Sequence, residues 1–204
     1  KDLGCHTGTI SDAFLELYQA GKLTNAHKEL DTGLSAWNLA MGSQELYDWL
    51  DAEPQLFHPG DLDYIHSVER ISKFSNVISI NGGVQLDLMG QENAESTGTR
   101  QLSGVGGQMD FLEGAYRSKG GKGFICINSS RVTKDGERKS NILATIPGGS
   151  TISAPRTMIQ YVATEYGIAS LSGKTLRERA EAMASIAHPD FREELMKYAR
   201  ENFK

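Results

Sequence analysis

The sequence predicts an α/β fold in which a central mixed or parallel sheet is flanked by helices within a single domain. Apolar, strand-like runs are interleaved along the 204 residues with segments whose apolar residues recur at helical spacing. Capping residues precede several helical segments, and glycine or proline follows many of the runs. Hydrophobic residues make up 39% of the chain and charged residues 23%, a composition typical of a globular protein with one core.

Helices are predicted where a capping residue or a proline precedes an apolar stripe with helical spacing. The strongest of these signals is a capping box formed by Thr175 and Glu178, in which each residue satisfies a backbone N–H group of the other. The predicted helices are 11–21, 43–54, 67–74, one that begins directly after Gly107, one that begins at Thr175 and one that begins at Pro189.

Strands are predicted over the apolar runs that end in turn signals. They are 34–41, 77–80, 84–88, 124–127, 142–146, 158–163 and 168–170. Cys126 lies within one of these runs and is therefore predicted to be a core residue. Residues 129–141 are charged and contain the turn signal Asp135-Gly136, a pattern typical of a solvated loop.

Two glycine-rich segments stand at the ends of apolar runs. The first glycine segment is 81–83, and the second glycine segment is 103–108 and leads into a predicted helix. Glycine allows sharp turns and a close approach of the backbone to a ligand, and a helix N-terminus attracts anions. The pattern therefore suits a ligand cleft lined by main chain. It equally suits a hairpin followed by an ordinary strand-to-helix connection, or a phosphate-binding module of another kind.

Three stretches carry a resemblance to a known family: SINGGVQLDLMGQENAESTGTRQLSGVGGQMDF, SKGGKGFICINSS and VATEYGIASLSGKTLRERAEAMASIAHPDFREEL. They resemble the C-terminal domain of the acetyl-CoA hydrolase/transferase family, which includes butyryl-CoA:acetate and 4-hydroxybutyrate CoA-transferases. The resemblance covers nearly the whole chain. It implies that residues 1–204 are a C-terminal domain whose N-terminal partner domain is absent from this chain.

The resemblance further implies contacts to coenzyme A, which acts as a substrate and is not permanently bound. These contacts carry over to both glycine segments, where small residues let the pantetheine arm and the thioester approach the backbone. The implied residues are Asn81, Gly82, Gly83, Gly104, Gly106 and Gly107. The other implied partners are a short-chain acyl-CoA, a small carboxylate such as acetate and, as in many relatives, a second copy of the protein.

The family mechanism uses a glutamate that attacks the thioester and becomes acylated. By resemblance this glutamate falls in the segment His6-Thr7-Gly8, where the chain has Gly8. Glycine cannot form an acyl anhydride. The protein is therefore expected to hydrolyse acyl-CoA by another route, to use a different carboxylate for transfer, or to be an inactive acyl-CoA-binding relative.

Other residues that could carry the chemistry are few. Glu95 is the first substitute carboxylate, with Glu92 and Asp87 behind it, and His6 is a weak candidate for a base. Each of them also suits a structural hydrogen bond or a solvated surface. Cys5 stands next to His6, but neighbours in an extended segment point to opposite faces, so a Cys–His pair is not expected.

Composition and spacing exclude several classes of protein. The net charge of −5 disfavours broad nucleic-acid binding, and no apolar run approaches the ~20 residues that span a bilayer. The two cysteines form no CxxC pair and the five histidines show no HxxxH or HxH spacing, so no metal site is expected. A cytoplasmic location with two reduced thiols is the expectation from the cysteine usage and the lack of a signal-peptide pattern, although the sequence also allows a disulfide.

Overall fold

The computed structural model of the protein describes residues 1–203. They form two compact units, one made of residues 1–77 with 117–121 and the other of residues 78–116 with 122 onward. Both units contain helices and strands, which confirms the predicted α/β class. Within the described residues, no helix combines the length and the apolar character needed to cross a membrane.

The first unit is built on a three-stranded parallel sheet in the order β1-β2-β3. The predicted helix starts are confirmed, since α1 and α2 follow Ser11 and Ser43, and the Ser43 hydroxyl accepts the Leu46 N–H. Its elements are β1 (His6–Ile10), α1 (Asp12–Gln19), β2 (Ser35–Ala40), α2 (Gln44–Ala52), a 3-10 turn (Pro54–Leu56), β3 (Phe57–Pro59), α3 (Leu62–Ile65) and α4 (Val68–Ile71).

The second unit carries the larger hydrophobic core and the larger sheet. Its C-terminal helices begin as predicted, with the Thr175–Glu178 capping box and with Pro189 at the first turn. Its elements are β4 (Ile78–Gly82), β5 (Gln85–Asp87), β6 (Glu92–Asn93), β7 (Ser96–Thr97), β8 (Arg100–Gln101), α5 (Gln108–Arg117), β9 (Lys122–Cys126), β10 (Ser130–Val132), β11 (Arg138–Ser140), β12 (Ile142–Leu143), β13 (Tyr161–Thr164), β14 (Gly167–Ser170), α6 (Leu176–Ser185) and α7 (Pro189–Asn202).

The predicted mixed sheet is present as four strands in the order β14-β13-β9-β4. β4 and β13 both run parallel to β9, and β13 pairs antiparallel with β14. Side chains alternate between the two faces, and the inner face buries Ile125, Val162 and Ala169 in the core. Because β4, β9 and β13 are parallel, their carboxyl ends lie at one edge, where α/β sheets commonly bind ligands.

The strands around the first glycine segment do not form the hairpin that the sequence left open as an alternative. β4 belongs to the four-stranded sheet, whereas β5 lies in a separate sheet of order β12-β5-β6. The hairpin alternative is wrong because β4 pairs with β9, far along the chain, and β5 pairs with β6 and β12. The first glycine segment thus carries the chain out of one sheet and into another.

Two further expectations are corrected. Cys126 is exposed because strand alternation puts it on the outer face, while its neighbour Ile125 is fully buried. Residues 129–141 are not an irregular loop, since β10 and β11 pair antiparallel around the Asp135-Gly136 turn, with Gly136 at φ +81°. The side chains of this hairpin are mostly solvated on both faces, so its strands lack the alternation of apolar and polar residues by which a strand is recognised.

Candidate functional site

The first glycine segment lies at the carboxyl end of β4. Gly82 pairs with Cys126, the last residue of β9, so the segment stands at the edge where the parallel strands end. Asn81 donates a hydrogen bond from Nδ2 to Ser79 Oγ at 2.8 Å, and the Gly83 N–H donates to the Cys126 carbonyl at 3.3 Å. The backbone of this segment is therefore anchored to the sheet.

The second glycine segment immediately precedes α5. Residues 103–106 are exposed, and Gly106 has φ +60°, a left-handed conformation that favours glycine. α5 then runs back along the inner face of the sheet, where Leu112 is buried, and leads to β9. The first N–H groups of an α-helix have no partner within the helix, and α5 begins directly after the second glycine segment, so this helix start suits an anion.

One buried side chain connects the two glycine segments. The Glu92 carboxylate accepts a hydrogen bond from the Gln108 side-chain amide, at the first residue of α5. Its other oxygen, Oε1, faces Gly83 so closely that a Cβ built on Gly83 would lie 2.6 Å from it. The structure thus brings together the two segments that the sequence indicated separately, and Glu92 is the residue between them.

Glu92 is an unusual carboxylate. It is 0% exposed, and Oε1 has no hydrogen-bond partner. Burial raises the pKa of the Glu92 carboxyl to about 8, while the hydrogen bond from Gln108 opposes this rise. The side chain therefore carries a proton over most of the neutral range.

The sequence alone favours Glu95 over Glu92 as a candidate carboxylate. β6 has only two residues, Glu92 and Asn93, and so offers no alternation from which an inward carboxylate could be read. Nothing in the sequence assigns a separate role to Gln108. The available signal was its position directly after Gly106-Gly107, where a helix begins.

The other candidate carboxylates have different surroundings. Asp87 is buried and fully engaged, because its oxygens accept the N–H groups of Met89 and Gln91 and the Gln91 side-chain amide. It holds the turn after β5. Glu95 is also buried, and its carbonyl accepts the Leu102 and Ser103 N–H groups, which links it to the start of the second glycine segment.

The candidate residues of the first unit lie on or beside β1. Gly8 is half-buried within the strand. Burial lowers the pKa of His6 to about 4, and its Nε2 lies 2.8 Å from the Ile65 carbonyl, to which it donates in the matching tautomer. Burial also raises the pKa of the Cys5 thiol to about 12. Cys5 is therefore unreactive, and the geometry of His6 suits a structural hydrogen bond.

A family comparison identifies the chain. The model of the acetyl-CoA hydrolase/transferase C-terminal domain matches residues 42–199, more than half of the sequence. The chain belongs to the acetyl-CoA hydrolase/transferase family. The resemblance noted from the sequence motifs is thereby confirmed.

Curated members of this family are similar over nearly the whole chain. A butyryl-CoA:acetate CoA-transferase from Anaerostipes caccae is 44% identical over 98% of this chain and 44% of its own length. A 4-hydroxybutyrate coenzyme A transferase from Clostridium kluyveri is 44% identical over 100% of this chain and 46% of its own length. An acetyl-CoA hydrolase from Kluyveromyces lactis is 28% identical. The chain spans less than half the length of these relatives.

Solved structures of the family share the fold. The crystal structure of RipA from Yersinia pestis has a TM-score of 0.88 and 38% identity, covering 98% of this chain and 44% of that one. The crystal structure of a 4-hydroxybutyrate CoA-transferase from Porphyromonas gingivalis has a TM-score of 0.81 and 37% identity, covering 100% and 46%. Both the sequence and the coordinates thus place this chain within the acetyl-CoA hydrolase/transferase family.

Proposed function

We propose that the polypeptide containing this chain is an acyl-CoA transferase or acyl-CoA hydrolase that acts on a short-chain acyl-CoA thioester. Family membership supports this proposal, and the curated relatives named above are transferases or a hydrolase. In a transfer reaction, the CoA thiol would pass from the acyl group to a small carboxylate such as acetate. In hydrolysis, water would take the place of that carboxylate.

The observation that carries the proposal is the empty space beside two glycines of the candidate site. A Cβ built on Gly82 or on Gly104 would meet no atom within 4 Å, and neither residue has a positive φ. Packing and backbone conformation therefore do not require glycine at these positions. Glycine at these two positions leaves the main chain open to a CoA arm and thioester. We assign the CoA contacts to Asn81, Gly82, Gly83, Gly104, Gly106 and Gly107.

The second glycine segment would also contribute to the chemistry. Backbone N–H groups at the start of α5 are suited to stabilise the oxyanion that forms when the thioester carbonyl is attacked. Glu95 is the proposed carboxylate for transfer or for activating water, since its backbone is tied to the start of this segment. The resemblance implies a nucleophilic glutamate at position 8 in β1, and the glycine found there has no carboxylate to take that role.

A further domain of the same polypeptide is part of the proposal. The outer face of the four-stranded sheet exposes Ile80 to 70% and Ile168 to 63%, and Phe124 stacks on Tyr161 between them. Exposed apolar faces of this kind are usually covered by a partner. Since the relatives are more than twice as long as this chain, we propose that their N-terminal half has a counterpart that covers this face. A cytoplasmic location and a homo-oligomer remain predictions.

Incubation of the complete polypeptide with butyryl-CoA, with and without acetate, tests the activity. We expect butyryl-CoA to be consumed, since the site offers CoA contacts and oxyanion donors. Acetyl-CoA that forms only with acetate identifies a transferase, and free thiol released without acetate identifies a hydrolase. If neither product forms across a panel of acyl-CoAs, the proposed activity is wrong, and binding of acyl-CoA without turnover would then identify an inactive acyl-CoA-binding relative.

A further inference from the structure

Glu92 occupies a position that suits a neutral carboxyl group and not a carboxylate. Oε1 faces Gly83, and the same space is bounded by the Cγ2 methyl groups of Ile125 and Ile127. A charged oxygen without a donor, set against methyl groups, is strongly disfavoured. The opposite oxygen has a single donor, the Gln108 amide. One hydrogen bond does not replace the hydration of an ionised carboxylate.

No charge on the neighbouring elements compensates Glu92. The elements around Glu92 carry three acidic residues, Asp87 on β5, Glu95 after β6 and Asp110 on α5. They also carry two basic residues, Arg156 and Arg179, and the Arg179 guanidinium donates to the Met89, Leu171 and Arg156 carbonyls. None contributes to the Glu92 pKa, which depends on burial and on Gln108 alone. Among residues 1–203, Glu92 therefore lacks the basic partner that normally accompanies a buried carboxylate.

The backbone of Glu92 is fixed, so the side chain cannot easily leave. Its N–H donates to the Ala154 carbonyl at 3.0 Å, and its carbonyl accepts the Ser153 N–H at 2.8 Å. Ionisation must therefore be accommodated by movement of what faces the carboxyl group. These are the Gly83 backbone on one side and the N-terminus of α5, through Gln108, on the other.

We propose that Glu92 is a positioning residue that holds the two glycine segments together only while it carries a proton. This inference rests on the proposed function, because it takes these segments to be the acyl-CoA site. In the protonated state, the two glycine segments are held at the separation that acyl-CoA binding requires. When Glu92 loses its proton, water must reach the carboxylate, the segments separate and the affinity for acyl-CoA falls.

The direction of the pH effect follows from the pKa values. The Glu92 carboxyl has a pKa of about 8 in the folded protein and an ordinary value of 4.5. Between these values the folded state binds more protons than the unfolded state, so stability falls as the pH rises. The contribution of Glu92 is fully present below pH 4.5 and is lost by the time the pH passes 8. Acyl-CoA affinity should fall above pH 8.

The substitution Glu92→Gln tests the proposal, because glutamine keeps the shape and stays neutral at every pH. The matched control is Glu137→Gln, which removes an exposed carboxylate paired with Lys139 on the charged hairpin. Binding of a non-hydrolysable acyl-CoA thioether to the complete polypeptide is measured from pH 6.5 to 9.5. We expect wild type and control to bind about tenfold more weakly at pH 9 than at pH 7, because only the protonated fraction is competent. Glu92→Gln should bind equally at both.

Two further measurements distinguish failure of the Glu92 inference from failure of the proposed function. Urea unfolding across the same pH range should show stability falling in wild type relative to Glu92→Gln, whether or not any ligand binds. Hydrogen-exchange protection, corrected for the intrinsic rise of the exchange rate with pH, should fall in both glycine segments of wild type above pH 8 and should not fall in Glu92→Gln. Parallel pH profiles of wild type and Glu92→Gln in binding and in unfolding overturn the inference. Absence of thioether binding at any pH, with the unfolding difference retained, overturns the proposed function and leaves Glu92 as a proton-linked structural residue only.

Discussion

Replacing Gly8 with glutamate is expected to create or greatly increase acetate-dependent CoA transfer. The sequence resemblance implies that the nucleophilic glutamate of the family falls at this position, where β1 of this chain has Gly8. A positioned nucleophile opens a covalent route through an acyl anhydride, and we expect transfer to rise on the order of 10²-fold or more. The measurement is the rate of acetyl-CoA formation from butyryl-CoA and acetate by the complete polypeptide.

The matched control for this gain is Gly8→Gln. Glutamine has nearly the same size as glutamate but cannot form the anhydride, so it separates nucleophilic catalysis from a steric effect. We expect Gly8→Gln to transfer no faster than wild type. Equal rates for Gly8→Glu and Gly8→Gln would contradict the assignment of position 8 to the nucleophile.

The substitutions Gly82→Ala and Gly104→Ala are expected to weaken CoA binding without weakening the fold. The free protein has room for a methyl group at both positions and uses no positive φ there. A ligand that lies against the backbone would meet that methyl group, and we expect about a tenfold or greater loss of affinity, the effect of ~1.4 kcal/mol. Isothermal titration calorimetry with CoA measures the affinity of each variant. Urea unfolding of each variant measures its stability.

Gly148→Ala is the control for these substitutions. Gly148 also has free space around its Cβ position and no positive φ, but it lies outside both glycine segments. We expect it to change neither affinity nor stability. Full CoA affinity in both Gly82→Ala and Gly104→Ala would show that CoA does not approach the backbone at these glycines.

Local signals were sufficient to place many helices of this fold. At two helix starts, a side chain accepts a backbone N–H that would otherwise lack a partner, namely at Ser43 and in the Thr175–Glu178 capping box. At the start of α7, Pro189 has no N–H group that needs a partner. Gly21 ends the first helix with φ +63° for an equally local reason. Such features can be predicted because the interacting groups lie within a few residues of one another.

Strand pairing was less predictable because its partners are distant. Ile78 of β4 pairs with Lys122 of β9, so the two short runs around Asn81-Gly82-Gly83 suit a hairpin by sequence although they lie in different sheets. The apolar run that contains Cys126 was read as buried throughout, although one face of its sheet is exposed. Which face of a strand is covered depends on the rest of the fold and not on the run itself.

In the candidate site, too, the local features can be predicted from sequence and the features that depend on distant residues cannot. Both glycine segments were recognised from sequence, since glycine has a distinct conformational role wherever it occurs. The importance of Glu92 was not, because burial and the missing donor at Oε1 arise only when Gly83, Gln108 and the isoleucines of the β9 region come together. A raised pKa is a property of this three-dimensional surrounding.

Hydrogen exchange of the complete polypeptide with and without CoA tests most directly whether the main chain of the two glycine segments forms the CoA site. We expect the amides of residues 81–84 and 104–108 to exchange more slowly when CoA is present, and the charged hairpin at 130–140 to be unaffected. Slower exchange elsewhere in the chain, with both glycine segments unchanged, would contradict the proposed site.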